Sequence, residues 1–377
     1  MKGEKIAYWT DFHETIYQQN QNYHKSNKFL ELNDLDMYFQ EFEGSSCQFL
    51  DCDNKAIGSH TYPKSFLKKF SRGKPVYSTS IREIYGSIYS SKELEILKKS
   101  SINYSGVNPL FCTEHDTNVF KRIELKNHVT DLDTYICLFL YRAFINDYVL
   151  EKHVKNPDVD IKINEKKDYS KRISQEEKIS YIGERKILHE MLDMQYDYKI
   201  YEQVKKKFDI IFGVPEPLFN DFKKEFTLKY YELNYQSKML ATGTMFFNKN
   251  SILNYREHLP SIYGIVPDIE GNKYYFAILI PKESLRSMRP VIKYFNKEYK
   301  RYLTNSMNSF VKWMEFMLLD ASQNIIISQK SINDSSEKNE ILKRISFCLN
   351  YARSNRILGF MWRDTAFKLL DSINLSN

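Results

Sequence analysis

The sequence predicts an α+β protein: an N-terminal zinc module, a central helical region, and a C-terminal mixed domain with an antiparallel sheet. Three observations carry this expectation. Two close pairs of metal-ligating residue types, Cys47/Cys52 and Cys112/His115, lie inside residues 46–128. Apolar residues then recur at helical spacing through 133–155 and 174–212. Beyond the break Gly213-Val214-Pro215-Glu216-Pro217 the apolar period falls toward two, as in strands. At 377 residues the chain has room for two or three cores. The pattern divides it into an extension (1–45), the zinc module (46–128), the helical region (129–213) and the mixed domain (214–377).

The zinc module rests on its ligand types. A short pair of thiol or imidazole donors bends the backbone into a knuckle that presents both to one ion, and two such pairs complete a tetrahedron. Cys47 and Cys52 are separated by four residues and Cys112 and His115 by two, which predicts a Cys3His site for structural Zn²⁺. Buried structural thiols with a surface histidine give the same letters, since cysteine is also a common small buried residue.

The order of residues around these pairs resembles the HNH (ββα-metal) nucleases, which are built on a treble-clef zinc scaffold. The resemblance is carried by Cys47-Gln48-Phe49-Leu50-Asp51-Cys52, by Ser59-His60-Thr61-Tyr62-Pro63, and by Asn108-Pro109-Leu110-Phe111-Cys112-Thr113-Glu114-His115-Asp116. It implies that His60 is the general base that activates water and that Asn108 orients it. It also implies that Asp116 holds a catalytic Mg²⁺ or Mn²⁺, with Glu124 adding a carboxylate two turns further along the same helix. Asp116 stands where that family usually has histidine, His115 stands where it has a zinc cysteine, and the insert between His60 and Asn108 is long. Hard ions prefer carboxylate oxygen, and a near-neutral histidine suits the removal of a proton from water. A zinc-ligating or purely structural His60 remains open at this stage. The wider order, extending to Leu138-Phe139-Leu140-Tyr141-Arg142-Ala143-Phe144, is similar to a group of bacterial proteins from phage-defence neighbourhoods, which implies a role in phage defence.

Composition narrows the partners. A net charge of +7 fits binding to a polyanion without being that of a dedicated DNA-binding domain. The densest basic run near the proposed site is Lys64, Lys68, Lys69, Arg72 and Lys74. It is expected either to grip phosphates or to be a solvated helix face. The 28 tyrosines and 25 phenylalanines, beside abundant lysine, asparagine and isoleucine, reflect AT-rich coding as readily as a stacking surface. Five cysteines, three of them clustered, fit a reducing compartment and metal binding better than a disulfide framework. With no signal pattern, and no apolar run beyond Ile136–Ile145, the protein is expected to be cytoplasmic and free of the membrane.

Along the chain, helices are expected near 28–39, from Pro63 through Phe70, over Ser91–Lys99, over 117–124, over 133–155 and over 174–212. Strands are expected over 56–62, 226–231, 241–247, 274–280 and 324–328, with Gly271-Asn272 as a hairpin turn. Residues 291–319 read as partly helical, and two helices over 335–351 and 356–373 close the chain. Cys137, Cys348 and Trp362 read as core, and His13, His24 and His189 as carrying no chemistry. There is no phosphate-binding glycine loop, nucleophile elbow or H-E-x-x-H helix. The leading expectation is therefore a metal-dependent HNH-like nuclease. The alternative is a non-catalytic zinc-scaffolded protein that binds nucleic acid or another protein.

Overall fold

The computed structural model describes residues 45–79, 97–125, 131–154, 198–245, 259–304 and 322–329, with Phe310, Val311, Met314 and Leu318. The expected helices at 28–39, 335–351 and 356–373 lie outside these residues, as do His13, His24, His189, Cys348 and Trp362. The architecture is α+β, with six helices and antiparallel sheets among the described residues.

A two-stranded sheet forms first. Strand β1 (Ile57–His60) pairs antiparallel with β4 (Val107–Phe111), placing Ser59 opposite Asn108 and His60 opposite Val107. Helix α1 (Lys64–Ser71) follows β1, and helix α2 (Thr113–Glu124) follows β4 directly. The knuckle, hairpin and helix thus form a ββα unit, with the long insert projecting from the hairpin. Gly106 lets the insert return. It sits at φ 64°, its carbonyl accepts the Thr61 amide at 2.8 Å, and an added Cβ would lie 3.1 Å from Asn324 Oδ1.

The insert does not stay with that unit. Strands β2 (Val76–Thr79) and β3 (Leu97–Ser100) leave it and enter a seven-stranded antiparallel sheet. Its other strands are β5 (Phe226–Leu233), β6 (Met239–Met245), β7 (Ser261–Pro267), β8 (Tyr274–Pro281) and β9 (Ser322–Ser328), in the order β3-β2-β9-β6-β7-β8-β5. Two of the expected boundaries are therefore bridged by main-chain hydrogen bonds between residues 76–78 and 326–328. Leu97–Lys99, expected at the end of a helix, are in a strand instead. Ladder bonds to β2 hold them, and exposed Lys98 and Lys99 suit a sheet edge.

The sheet is covered on both faces, and every residue of β7 and β8 is buried. Such strands lose the apolar–polar alternation that marks a half-solvated strand, which is why β7 was not foreseen. Helix α3 (Leu132–Val154) packs on one face. It is buried without interruption from Thr134 to Leu150, with helices α2, α4 (Tyr198–Phe212) and α5 (Phe219–Glu225) around it. On this side Phe226 stacks on Phe208 at 4.6 Å. Helix α6 (Leu285–Leu303) covers the other face, where Phe295 meets Tyr231 and Phe276 at 6.1 and 5.7 Å.

The stretch that follows β1 is tied to this core by its side chains. The Tyr62 hydroxyl donates to the Ile265 carbonyl at 3.0 Å, and its ring meets Phe139 edge-on. Lys69 Nζ donates to the Glu270 carbonyl in the β7–β8 turn. Gly271, at φ 67° in that turn, rests against Phe66, where a Cβ would come within 3.2 Å of the ring. The expected Gly271-Asn272 turn is closed by the Asp268 side chain, which accepts the Asn272 amide at 2.7 Å.

Candidate functional site

The four expected zinc ligands converge. One ligand atom from each of Cys47, Cys52, Cys112 and His115 lies within 4.8 Å of the others, and among the described residues this is the group of three or more His, Cys, Asp or Glu able to hold a metal ion. Bond lengths of about 2.3 Å to sulfur and 2.0–2.1 Å to nitrogen, set tetrahedrally, put sulfurs about 3.8 Å apart and sulfur about 3.6 Å from nitrogen. Here Cys52 Sγ lies 3.9 Å from Cys112 Sγ, and His115 Nδ1 lies 3.5 and 3.2 Å from the sulfurs of Cys47 and Cys112. The donor set and its spacing fit zinc.

Local backbone makes both knuckles. In the first, the Cys47 amide donates to the Asn54 carbonyl and the Cys52 amide to the Phe49 carbonyl, with Asp51 in the left-handed region at φ 52°. In the second, Cys112 caps α2 in an extended conformation, and its carbonyl accepts the Asp116 amide at 2.8 Å. Burial pushes the Cys47 thiol up to about 12, against hydrogen bonds from the Cys112 and Phe49 amides. Burial acts the same way on Cys112. There it is outweighed by the His115 and Glu114 amides at the helix start and by the Cys47 and Cys52 thiols, which hold the Cys112 thiol below its ordinary value. A bound cation makes every sulfur a thiolate. Phe49 stacks on the His115 ring at 4.1 Å and fixes its plane. Cys137 is buried in α3, away from this group, as its apolar setting predicted.

Beside the metal group, the same ββα unit carries His60, Asn108, Asp116 and Glu124. His60 ends β1, half-buried, with Nε2 3.1 Å from the Ile102 carbonyl. A carbonyl only accepts, so Nε2 carries the proton and Nδ1 keeps its lone pair. The His60 pKa is lowered. Burial is the main cause, opposed by the Ile102 bond, with Arg142 and Lys64 lowering it further and Glu124 raising it. The contact that fixes this ring is thus to Ile102, while Asn108 Nδ2 donates to Oδ1 of the buried Asn146.

Asp116 and Glu124 share a partner that the sequence reading did not single out. Arg142, 1% exposed at mid-α3, donates from one terminal nitrogen to Asp116 Oδ1 at 2.8 Å and from the other to Glu124 Oε1 at 2.6 Å. Its guanidinium lies 4.5 Å over the Phe120 ring, and its Nε has no partner among the described residues. The signal for it was present: a charged residue inside an apolar helix must be paired once that helix is buried. Asn146, one turn on, was readable the same way. A Mg²⁺ or Mn²⁺ ion commonly takes one carboxylate and completes its shell with water and substrate phosphate. Asp116 instead has one oxygen ion-paired with Arg142.

Of the expected phosphate contacts, Lys64, Lys68, Lys69 and Arg72 are all exposed on or just after α1. Lys64 is close enough to act on His60, while Lys69 is drawn to the Glu270 carbonyl. No helix among the described residues is long and apolar enough to cross a membrane. No protein-family model matches the chain, and no curated protein or solved structure is significantly similar to it.

Proposed function

We propose that this chain is a zinc-scaffolded, HNH-like nuclease that hydrolyses phosphodiester bonds. One observation carries the reading. On a single ββα unit, next to a Cys3His group, a histidine with its Nδ1 lone pair available ends one strand, and a carboxylate on the following helix's first turn shares its electrostatic neighbourhood through Arg142. In this reading zinc is structural and the chemistry belongs to the chain's own residues. The Ile102 carbonyl holds His60 in the Nε2–H tautomer. Nδ1 takes a proton from water as the water oxygen bonds to phosphorus and the bond to the leaving oxygen breaks. The lowered pKa keeps His60 unprotonated at neutral pH. Arg142 positions Asp116 and Glu124 without reaching solvent itself. Lys64 and its neighbours on α1 meet the phosphates. A Mg²⁺ or Mn²⁺ ion at Asp116 would supply charge stabilisation at the phosphoryl group. The likeness to phage-defence proteins makes phage DNA the first substrate to test.

His60→Ala is expected to lower cleavage of plasmid or phage DNA by about 10²–10⁴-fold, with zinc content and melting temperature unchanged. Cleavage at the wild-type rate in that variant would remove the proposal. A second reading, a non-catalytic zinc scaffold for nucleic acid or protein, is favoured by the Arg142 clasp, which already engages one oxygen on each carboxylate. It requires one zinc per chain and no hydrolysis with Mg²⁺ or Mn²⁺ by the wild type.

A further inference from the structure

Every charged residue exposed along α6 is basic. Lys282, in the turn before the helix, is followed by Arg286, Arg289, Lys293, Lys297 and Lys300 at steps of four, three, four, four and three residues. That spacing sets them in one row along one helix face. Residues 282–301 hold seven basic and two acidic residues, a net of +5 in a chain whose total is +7. Neither acid neutralises the row: Glu283 pairs with Lys207 at 2.6 Å, and the buried Glu298 pairs with Arg301 at 2.9 Å. Arg286, Arg289, Lys293, Lys297 and Lys300 make no ion pair among the described residues.

Like charges three and four residues apart on a helix repel, so the row costs stability in the free protein. A polyanion laid along it relieves that cost. The opposite side of α6 is fixed, because Met288, Ile292, Phe295 and Tyr302 are buried against the sheet. The row is therefore a rigid ridge formed before any partner arrives. From Arg286 to Lys300 it runs about 21 Å at 1.5 Å per residue.

We propose that this ridge is a docking surface for double-stranded nucleic acid, gripping the phosphate backbone without reading sequence. A duplex carries one negative charge per about 1.7 Å of axis, so a length equal to the ridge holds about a dozen phosphates, of which the ridge faces those on its own side. Single-strand binders combine a basic groove with aromatic platforms, whereas this surface is a convex rod with Tyr294 as its exposed aromatic. Helices that lie on membranes bury an apolar face in lipid, and here that face is already taken by the sheet. The ridge lies across the sheet from α3: Tyr231 meets Phe295 on the α6 side, while its neighbour Tyr230 interacts with Asp133 of α3 on the other. It is a separate anchor from the ββα unit, and the inference does not rest on the nuclease reading.

The test is fluorescence anisotropy of a labelled duplex of about 30 base pairs titrated with full-length protein across a salt series. The His60→Ala background prevents any cleavage from interfering. Changing Arg289→Gln, Lys293→Gln and Lys297→Gln together is expected to weaken binding at least tenfold near 0.1 M salt and to flatten the log Kd–log salt slope by about 2–3. These residues are exposed, and unchanged zinc content and melting temperature confirm that the fold is intact. Unchanged affinity and slope would overturn the proposal, as would a parent protein that does not bind duplex. So would a triple variant that loses binding to phosphatidylserine vesicles while duplex binding is kept, which assigns the ridge to a membrane surface. The cleavage assay reads the nuclease proposal separately.

Discussion

At the scale of single residues, His60 joins geometry to pH. Burial disfavours its charged form, so its pKa in the folded protein lies below the ordinary histidine value of 6.5. The unfolded chain then binds a proton at a higher pH than the native one. Stability contributed by the neutral ring is full above pH 6.5 and is lost as pH falls from 6.5 through the folded pKa. Urea melts of wild type and His60→Gln between pH 5 and 7 are expected to show this loss in the wild type and not in the variant. Parallel pH dependence in the two proteins would mean that the ring is not desolvated. If His60 is also the base, the acid limb of the cleavage profile falls below 6.5 in the same wild type. The four candidate metal ligands were legible because their paired spacing identifies such residues, whereas His60 and Asp116 were singled out by the resemblance. Arg142 and Asn146 were marked by their type as needing partners, but which partners they take depends on α3 being enclosed on every side by α2, α4, α5 and the sheet.

At the scale of elements, the ββα unit has little sheet of its own and carries four donors that could hold a metal ion. Strand β1 has four residues and pairs with β4 alone, and a lone two-stranded sheet is marginal in water. Four donors drawn onto one ion would pin the first knuckle to the start of α2, and metal binding would then be folding energy for this unit. Cys112→Ser removes one of the three thiols of the Cys3His group. It is expected to abolish zinc retention and to cost several kcal/mol of stability, read by elemental analysis and by thermal melting with and without chelator. Wild-type protein without zinc, or with a melting temperature indifferent to chelation, would contradict this. Here β1, α1 and α2 follow their patterns and were readable, while no strand was expected at β2 or β4. Strand β3 was not readable either, because Leu97-Lys98-Lys99-Ser100 has no strand signal of its own and becomes one by pairing with Val76–Thr79.

At the scale of the whole molecule, sequence order and spatial order part company. The zinc ligands suggested a self-contained module over 46–128, yet that stretch supplies two strands to a sheet completed by residues 322–328. Its apolar side chains also look outward. Tyr62 packs on Phe139, Phe66 on Tyr274, and Phe111 and Phe120 on Tyr141, all beyond residue 128. Each such burial is worth about 1.5–3 kcal/mol, so the four together contribute on the order of 10 kcal/mol, comparable to the net stability of a domain. A fragment over residues 45–128 would lose these contacts, the Arg142 clasp on Asp116 and Glu124, and the β9 partner of β2. It is expected to bind zinc through its four donors while showing no cooperative thermal transition, with amide protection confined to the knuckles. A sharp melt and slow exchange across β1, β4 and α2 in that fragment would restore the module as an independent domain. The full chain is expected to protect β2 along with β9, because β2 joins the rest of the sheet through its ladder to β9.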